Sequence, residues 1–451
     1  MNEQQNTSSD YNRRDFLKGG SIATLMSMLG GVELLAQTNA APTEAAKSTG
    51  TKVKVALVGL GAWGREILTS LSRQPDAEIA AICDNYPASL KRAANIAPGA
   101  AQTDNYKTIL ENKDIKAVIV ATPTPLHKAI VIEALKAGKH VYCEAPLATS
   151  IEDAKAIAMA AKESGHLVFQ AGLQLRSDKQ RHFLLPFIRS GALGQPVLAR
   201  AQWHKKQSWR STSPNPDREK ALNWRLSKES SLGLIGELSI NQVDQVNWFW
   251  NGLPTAVSGF GTIALWKDGR DVADTVHAIL EYPGGVCLNY DATLGNSFDS
   301  AYEMFFGTDA AVMLRESNAW MFKETDSPLL GWEVYAKKDV FYKETGIALR
   351  ANASKSVNAN ETPTAEMLIT SSPLFYALDN FVKNAADLVT AAYNMETSLG
   401  EVDKAELAKV PRRASAGYLE GYQSTVVVIK ANEAITAGKK VEIKPELYEL
   451  G

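Results

Sequence analysis

The chain has 451 residues, of which 45% are hydrophobic, and its 48 basic and 50 acidic side chains give a formal net charge of −2. A chain of this length and composition can form two domains with hydrophobic cores, and its near-neutral charge argues against nucleic acid or an anionic membrane as a partner. The three cysteines, Cys83, Cys143 and Cys287, have the spacing of neither a disulfide framework nor a metal site, and we predict no metal.

The first 50 residues have the pattern of an export signal. Arg13 and Arg14 precede a mildly apolar stretch over residues 19–35, which is too short and too interrupted to be a transmembrane anchor. Paired arginines in this position are typical of twin-arginine export, although a disordered basic tail is an alternative. We expect residues 1–40 to be the signal, residues 41–51 a linker, and the mature protein to be periplasmic or otherwise exported without a stable membrane anchor.

A glycine-rich turn follows the short apolar run Val53–Val58. Gly59, Gly61 and Gly64 fit G-x-G-x-x-G, and they stand between a predicted buried strand and a predicted helix. In this context the first glycine permits a tight turn, the second lets a pyrophosphate approach the backbone, and the third lets the helix pack closely. Phosphates then lie at the N-terminus of the helix. The expected cofactor contacts here are Gly59, Gly61, Ala62, Trp63 and Gly64.

A second predicted strand, Ala77–Cys83, ends in Asp84, twenty residues after Gly64. A carboxylate at this position of a Rossmann unit accepts a hydrogen bond from the ribose 2′-hydroxyl and repels a 2′-phosphate. The sequence therefore predicts NAD as the cofactor in preference to NADP. The alternative is an ordinary glycine turn followed by an unrelated aspartate at a strand end.

Predicted strands and helices alternate through residues 52–174, which indicates a parallel sheet with right-handed crossovers. One strand ends in the loop Thr122-Pro-Thr-Pro-Leu-His127, and another ends in Cys143-Glu-Ala-Pro146. Ligands of open α/β sheets bind where the parallel strands end, so these loops are expected to contact the cofactor. The expected contacts are Thr122, Pro123, His127, Glu144, Pro146 and, after the next strand, Gln174.

Beyond residue 174 the pattern changes to runs of strands, which predicts an α+β domain for substrate binding and oligomerisation over residues 175–451. A predicted strand over residues 196–206 leads into a polar loop that is rich in tryptophan and arginine. Such residues suit a sugar, because its C–H face packs on indole and its hydroxyls need hydrogen bonds. A loop that covers a dimer interface is an equally good interpretation. The candidate substrate contacts are Arg176, Trp209, Trp224 and Arg225.

Residues 233–250 predict a single helix on which Glu237, Asn241 and Asp244 recur at three- and four-residue spacings. Polar residues among leucines, isoleucines and valines indicate a wet, one-sided pocket, with ordinary polar pairing in the core as the alternative. The remaining predicted elements are two hairpins that turn at residues 283–285 and 307–309, and two helices over residues 374–389 and 418–438.

Together these motifs resemble the Gfo/Idh/MocA family of sugar and polyol dehydrogenases. The resemblance rests on the glycine turn, Asp84, the two strand-end loops and the segments at residues 223–225 and 236–244. It implies an α/β Rossmann N-terminal domain and an α+β C-terminal domain, whose large open, mostly antiparallel sheet covers the nicotinamide. It also implies a homodimer or homotetramer, and several members are exported with the cofactor already bound.

Two departures from the family fall where its catalytic groups stand. The family's Glu-Lys-Pro box, whose lysine orients the sugar hydroxyl and helps to remove its proton, contains Ala145 here, and Asn241 takes the place of the family's histidine. Alanine cannot transfer a proton, and a neutral amide is a poor base. The remaining candidates for proton transfer are Tyr142, Glu144, Glu237, Asp244 and His204.

Export constrains the chemistry, since a protein outside the cytoplasm has no nicotinamide pool to draw on. We therefore expect an enzyme that acts on a small carbohydrate or glycoside through tightly bound, internally recycled NAD, with hydride transfer at a ring carbon. An NAD-dependent glycosidase, which oxidises, eliminates, hydrates and re-reduces, is one alternative, and the loss of the box lysine favours it. A protein that binds NAD and sugar without turnover is another, and the loss of both proton-transfer groups favours that one.

Overall fold

The computed structural model describes residues 52–316, 318–324, 327, 338–339, 348–351 and 371–451. The predicted export signal and the linker lie outside the described residues. Within the described part of the chain, no helix is long and apolar enough to cross a membrane.

Six parallel strands form the first sheet: β1 (Val53–Val58), β2 (Ala77–Cys83), β3 (Ala101–Thr103), β4 (Ala117–Val120), β5 (His140–Cys143) and β6 (Phe169–Ala171). Their order across the sheet is β3-β2-β1-β4-β5-β6, which is that of a Rossmann fold. The connecting helices are α1 (Ala62–Leu71), α2 (Pro87–Ala94), α3 (Tyr106–Glu111), α4 (His127–Lys136) and α5 (Ile151–Glu163). The predicted α/β Rossmann domain is confirmed.

The strand register brings the carboxyl ends of the central strands to one edge of the sheet. Val58 pairs with both Cys83 and Val120, and Val120 pairs with Cys143. The residues that follow these strand ends are therefore neighbours: Gly59, Asp84, Ala121 and Glu144. The strand order reverses between β1 and β4, so a crevice opens there between the loops that follow the two strands.

The second sheet contains ten strands within the described residues: β7 (Pro196–His204), β8 (Ala256–Thr262), β9 (Thr275–Glu281), β10 (Cys287–Thr293), β11 (Ala301–Gly307), β12 (Ala310–Arg315), β13 (Asn318–Lys323), β14 (Lys338–Asp339), β15 (Ala348–Ala351) and β16 (Val441–Glu442). Their order is β14-β15-β13-β12-β11-β7-β10-β9-β8-β16. β7 and β10 run parallel, and the other neighbouring strands run antiparallel. The predicted open, mostly antiparallel sheet and both predicted hairpins are confirmed.

The helices of the second half of the chain are α6 (Lys179–Arg189), α7 (Pro216–Leu222), α8 (Gly233–Glu237), α9 (Ile240–Trp250), α10 (Pro373–Leu399), α11 (Lys404–Ala408) and α12 (Tyr418–Ala437). α12 connects the two halves because it packs on α5 and β6 on one side and on β8 and β9 on the other. Its contact with β6 is close: a side chain at Gly421 would place its Cβ 2.7 Å from that of Ala171.

α10 covers one face of the first sheet, although it comes from the far end of the chain. It buries Leu374, Leu378 and Phe381 in the same core as β1 and α1, and the ring of Phe381 lies 5.8 Å from that of Tyr142 in an edge-to-face arrangement. The nucleotide-binding half therefore contains α10 in addition to residues 52–174, and a division of the chain at residue 174 does not describe this packing.

The prediction of a single helix over residues 233–250 is wrong, because the segment breaks into α8 and α9. Leu238, with φ −117° and ψ −48°, is the C-cap of α8, and residues 238–239 form a turn between the two helices. The Ser239 hydroxyl donates to the carbonyl of Ile235, a local bond of the kind that bends helices. Residues before and after the break therefore do not share one helical face.

Candidate functional site

The turn after β1 has the geometry of a phosphate-binding loop. Gly59 has φ +97°, and a Cβ there would lie 2.5 Å from the carbonyl oxygen of Ala121. A Cβ at Gly64 would lie 2.0 Å from the carbonyl oxygen of Gly59. Glycine is therefore required at both positions, as G-x-G-x-x-G predicts. At Gly61 nothing lies within 4 Å of the position of a Cβ, so a ligand can approach its backbone.

The N-terminus of α1 opens on this turn. Gly61 is the N-cap residue, and no side chain caps the N–H groups of the first turn. Ala62 and Trp63 begin the helix and are exposed, Trp63 by 37%. Free N–H groups and the positive end of the helix dipole favour a phosphate at this position.

Asp84 is held beside the glycine turn by two backbone donors. Its Oδ2 accepts a hydrogen bond from the Leu60 N–H at 2.8 Å, and its Oδ1 accepts one from the Tyr86 N–H, also at 2.8 Å. A carboxylate oxygen has lone pairs for a further donor, so both remain able to accept from a ribose hydroxyl. The position and the charge fit the adenosine ribose of NAD.

Two buried polar atoms at the ends of β4 and β5 have no hydrogen-bond partner among the described residues. They are the Oγ1 of Thr122 and the Oε1 of Glu144. Buried polar atoms in folded proteins are nearly always paired, so these two indicate an edge where a ligand supplies the partner. Together with the glycine turn and Asp84, they fit a dinucleotide that lies across the crevice.

Glu144 has an acidity suited to proton transfer at neutral pH. Burial raises the pKa of its carboxyl to about 7, and neighbouring Trp63, Tyr142 and Arg225 offset part of that rise. The carboxyl fits because the residue that follows β6 is Gly172, where a Cβ would lie 2.9 Å from the Glu144 Oε2. Tyr142 itself is fully buried, and burial raises the pKa of its phenol well above the ordinary value.

His127 connects the two loops instead of opening on the crevice. Its Nε2 lies 3.0 Å from the carbonyl oxygen of Thr122, and its Nδ1 lies 3.1 Å from that of Pro146, which follows a cis peptide bond. The ring is 1% exposed, and burial lowers its pKa. A neutral imidazole donates only one of these bonds. Pro123, next to Thr122, caps the short 3-10 turn Thr124–Leu126 that leads to the histidine.

Arg225 joins the predicted substrate residues to two carboxyl groups. Its Nε donates to the Glu237 Oε2 at 3.3 Å, and its guanidinium carbon lies 4.7 Å from the ring centroid of Trp224 and 5.9 Å from that of Trp209. Burial raises the pKa of Glu237, and the charge of Arg225 lowers the pKa values of both Glu237 and Glu144. The structure therefore places a cation within the electrostatic reach of both carboxyls.

Asn241 and Gln174 hold each other in place. The Asn241 Oδ1 accepts a hydrogen bond from the Gln174 N–H at 2.9 Å, which joins α9 to the turn after β6. At the position of the family's histidine, the side-chain oxygen of Asn241 therefore accepts a hydrogen bond from a backbone N–H.

Asp244 forms a buried ion pair with Arg176. The guanidinium donates to both carboxylate oxygens, at 2.8 and 3.0 Å, and the Ser424 hydroxyl donates to the carboxylate at 2.7 Å. Asp244 is 1% exposed, and the guanidinium of Arg176 also lies 5.5 Å from the ring centroid of Trp248. These contacts occupy both side chains in joining the turn after β6 to α9 and α12.

His204 lies apart from the other candidates. Residues alternate along β7, and Ala199 and Ala201 face the core beneath the helices, so His204 faces the opposite side of the second sheet. Its Nε2 contacts the carboxylate of Asp291, and its Nδ1 lies 3.1 Å from the carbonyl oxygen of Phe298.

Two residues of the site were not predicted from the sequence. Gly172 makes room for Glu144, and the Ser231 hydroxyl donates to the Glu237 Oε1 at 3.4 Å. A glycine at a strand end is a sequence indication of close approach, whereas nothing in the local pattern distinguishes Ser231.

Among the described residues, no cluster of histidine, cysteine, aspartate and glutamate could hold a metal ion.

Comparison with known proteins agrees with this geometry. Residues 53–172 match the model of an oxidoreductase family with an NAD-binding Rossmann fold, and residues 186–312 match the model of the GFO/IDH/MocA C-terminal domain. These two matches together span more than half of the chain.

Two curated proteins illustrate the similarity. The chain is 30% identical over 201 residues to inositol 2-dehydrogenase of Rubrobacter xylanophilus, a region that is 44% of this chain and 52% of that protein. It is 26% identical over 266 residues to 2,7-anhydro-N-acetylneuraminate hydratase of Escherichia coli, 58% of this chain and 67% of that protein. The matched regions thus span about half to two thirds of these relatives.

A solved structure of levoglucosan dehydrogenase, in complex with NADH and L-sorbose, superposes with a TM-score of 0.63 at 18% identity and covers 88% of this chain and 100% of its own. At this identity the similarity establishes the fold alone. The two domain matches identify the lineage, and the chain belongs to the Gfo/Idh/MocA oxidoreductase family, with an NAD-binding Rossmann domain.

Proposed function

We propose that this protein is an enzyme that acts on a small carbohydrate or cyclic polyol by hydride transfer at a ring carbon, with NAD that stays bound and is restored within each cycle. The observation that carries the proposal is the position of Glu144 directly after β5, next to Ala145 at the place of the family's lysine, with the charge of Arg225 near enough to lower the pKa of Glu144. NAD, when bound, supplies the acceptor and donor of the hydride.

The two side chains have different roles, with Glu144 as the catalytic base and Arg225 as the catalytic cation. A guanidinium has hydrogen-bond donors and no acceptor, so Arg225 does not act as a base, but it stabilises negative charge on a substrate oxygen. Glu144 has a pKa of about 7, so it can accept a hydroxyl proton and return it near neutral pH. Asp244 is occupied by Arg176, and His204 lies on the other face of the sheet, so neither competes for this role.

The substrate class follows from the side chains around Arg225. The indoles of Trp209 and Trp224 flank the guanidinium and provide apolar faces for the C–H groups of a ring. The names of the relatives support a ring polyol or anhydrosugar, since they include an inositol dehydrogenase and an anhydroneuraminate hydratase.

A redox-neutral reaction is the second candidate. The similarity to a hydratase favours it, as does the absence of a lysine at Ala145. In this case the chain oxidises the ring only transiently, and the net product is an elimination, a hydration or the cleavage of a glycoside.

The test uses the purified protein with its bound nucleotide and a panel of cyclic polyols, free sugars, anhydrosugars and aryl glycosides. Reduction of the bound nucleotide by a sugar, followed by reoxidation by a second sugar, supports the leading proposal. Release of aglycone or hydration without net reduction, together with incorporation of solvent deuterium beside the oxidised carbon, supports the second candidate. If no substrate gives reduction, exchange or cleavage, the protein binds NAD without turnover and both proposals fail.

We also propose twin-arginine export, supported by Arg13 and Arg14 ahead of the apolar stretch. Replacement of both arginines by lysine should leave the full-length protein in the cytoplasm. The appearance of a shortened form outside the cytoplasm in that variant would contradict the proposal.

Assembly into a homodimer or homotetramer is proposed on the outer face of the second sheet. This face exposes Phe260 by 67% and Ile279 by 47%, and the two side chains stand on the paired strands β8 and β9, where they form an apolar patch that an interface would cover. Light scattering during gel filtration should give twice or four times the mass of one chain, and a monomer would contradict the proposal.

A further inference from the structure

Arg218, on the short helix α7, reaches across to the nucleotide-binding half of the chain. Its guanidinium carbon lies 4.0 Å from the ring centroid of Tyr86, and its Nη1 donates to the Asn85 Oδ1 at 3.5 Å. Asn85 and Tyr86 directly follow Asp84, whose carboxylate accepts from the Tyr86 N–H. The arginine therefore lies at the turn that carries the ribose-binding carboxylate.

Hydrogen bonds within residues 210–223 stabilise the segment that carries Arg218. The Arg210 Nη2 donates to the Glu219 Oε1 at 2.6 Å, and the Asn223 side chain is hydrogen-bonded to both the N–H and the carbonyl of Ser211. The N–H of Arg218 is capped by the Asn215 Oδ1 at 3.0 Å. These hydrogen bonds restrict the backbone around Arg218. The arginine is therefore held facing the turn after β2.

One buried N–H donor of this guanidinium has no hydrogen-bond partner. The Nε of Arg218 is buried and has no hydrogen-bond partner among the described residues. A buried charged donor without a partner is costly, so the site gains when a ligand supplies an acceptor. The adenosine end of a dinucleotide brings ribose oxygens to Asp84 and an aromatic base beside them.

We propose that Arg218 is a recognition residue for the adenosine end of the cofactor, acting from the second half of the chain. It closes the adenosine subsite over bound NAD and slows its release. This inference rests on the NAD-binding Rossmann domain and not on the proposed sugar chemistry, so it can hold even if the protein has no sugar activity.

The same geometry has a consequence for cofactor choice. The carboxylate of Asp84 repels a 2′-phosphate, whereas a guanidinium at the same turn attracts one. Asp84 therefore excludes NADP in the natural protein, and removal of its charge leaves Arg218 as a partner for the phosphate. Gain of NADP binding in Asp84→Ser should then depend on Arg218.

The first experiment compares wild-type protein with Arg218→Ala, Arg218→Lys and the control Lys220→Ala, an exposed residue of the same helix. The holoproteins are loaded with NADH and diluted, and its release is followed by the loss of energy transfer from protein tryptophans. We expect release to be about tenfold faster in Arg218→Ala, with Arg218→Lys between the two, because hydrogen bonds to charged groups are worth this much. Lys220→Ala should match the wild type. Equal release from wild type and Arg218→Ala would overturn the proposal.

The second experiment measures NADP and NAD binding to Asp84→Ser and to the double variant Asp84→Ser/Arg218→Ala, with thermal unfolding as a check that each variant is folded. A gain in NADP affinity in the single variant, lost in the double variant, supports the proposal. A gain that persists without Arg218, or no gain in a folded single variant that still binds NAD, would overturn it. Because both readouts are binding, failure here is distinct from failure to find a sugar substrate.

Discussion

The two ends of the nucleotide crevice differ in how much of the family's pattern they keep. At the phosphate and adenosine end, Gly59, Gly64 and Asp84 are present in the expected geometry. At the reacting end, Ala145 and Asn241 replace the lysine and the histidine. Cofactor binding depends on backbone geometry that only glycine permits, whereas the proposed proton transfer depends on a side chain, and a side chain can come from another element of the fold.

At the reacting end, the two charges come from different halves of the chain. Glu144 follows β5 of the first sheet, and Arg225 comes from the segment after α7. Because the two residues of the proposed pair come from different halves, their relative position depends on how the halves pack. Variants at these residues and at the neighbouring ion pair of Asp244 distinguish a role in catalysis from a role in stability.

The largest effect is expected from Glu144→Gln. Loss of a positioned general base lowers kcat by roughly 10²–10⁴-fold, while NAD should still be recovered after denaturation, because glutamine keeps a side-chain oxygen as an acceptor at this cofactor contact. Because the carboxylate is the active form and its pKa is about 7, wild-type activity should rise with pH to half its maximum near that value. Burial raises the pKa values of the neighbouring Tyr142 and Cys143 well above their ordinary values, so neither of these groups titrates near neutral pH. A pH profile that is the same in wild type and variant would assign the proton to another group.

The second prediction concerns Asp244, which the structure places in a buried ion pair. Asp244→Ala should lower the free energy of unfolding by about 3 kcal/mol in urea denaturation, because the buried guanidinium of Arg176 loses both of its bonds to Asp244 and keeps only the more distant carboxylate of Glu420, at 3.9 Å. The control Lys409→Ala removes an exposed pair with Glu406 and should change stability by less than about 1 kcal/mol. Lost turnover at unchanged stability would instead make Asp244 part of the chemistry.

A third prediction separates the cation from the base. Arg225→Ala should lower kcat/KM by roughly 10–100-fold, the effect of losing one charge-assisted hydrogen bond. The double variant Arg225→Ala/Ala145→Lys returns a cation to the family's position and should recover part of the loss. If the added lysine gives no recovery, Arg225 acts mainly by holding Glu237 and the tryptophans in place.

The last prediction concerns stability and pH. The pKa of Glu144 is raised from 4.5 to about 7 in the folded protein, so its ionisation costs stability as the pH rises from 4.5 towards 7, and the cost is constant above that. Glu144→Gln lacks this cost. The free energy of unfolding of the variant relative to wild type should therefore increase by roughly 2–3 kcal/mol between pH 5 and pH 8, at about 1.4 kcal/mol per pKa unit. Denaturation in urea at the two pH values measures it, and a difference that falls with pH would contradict the raised pKa.

The sequence by itself determined the elements whose cause is local. The glycine turn after β1, Asp84 at the end of β2, the hairpins at residues 283–285 and 307–309, and α12 all lie where the pattern predicts them. Each depends on the sterics of a few adjacent residues or on an uninterrupted run of helix-forming residues, and both are visible in a single stretch of sequence.

Tertiary structure alone decided which side chains meet. Arg218 and Asn85 are 133 residues apart and still form a hydrogen bond, α10 covers a sheet made from the other end of the chain, and His204 lies on the far face of β7. The break between α8 and α9 also separates Glu237 from Asn241 and sends each to a different partner. A periodic pattern states that a strand or helix has a buried face, but which element covers that face depends on how the two sheets pack through α12, and no local pattern contains that information.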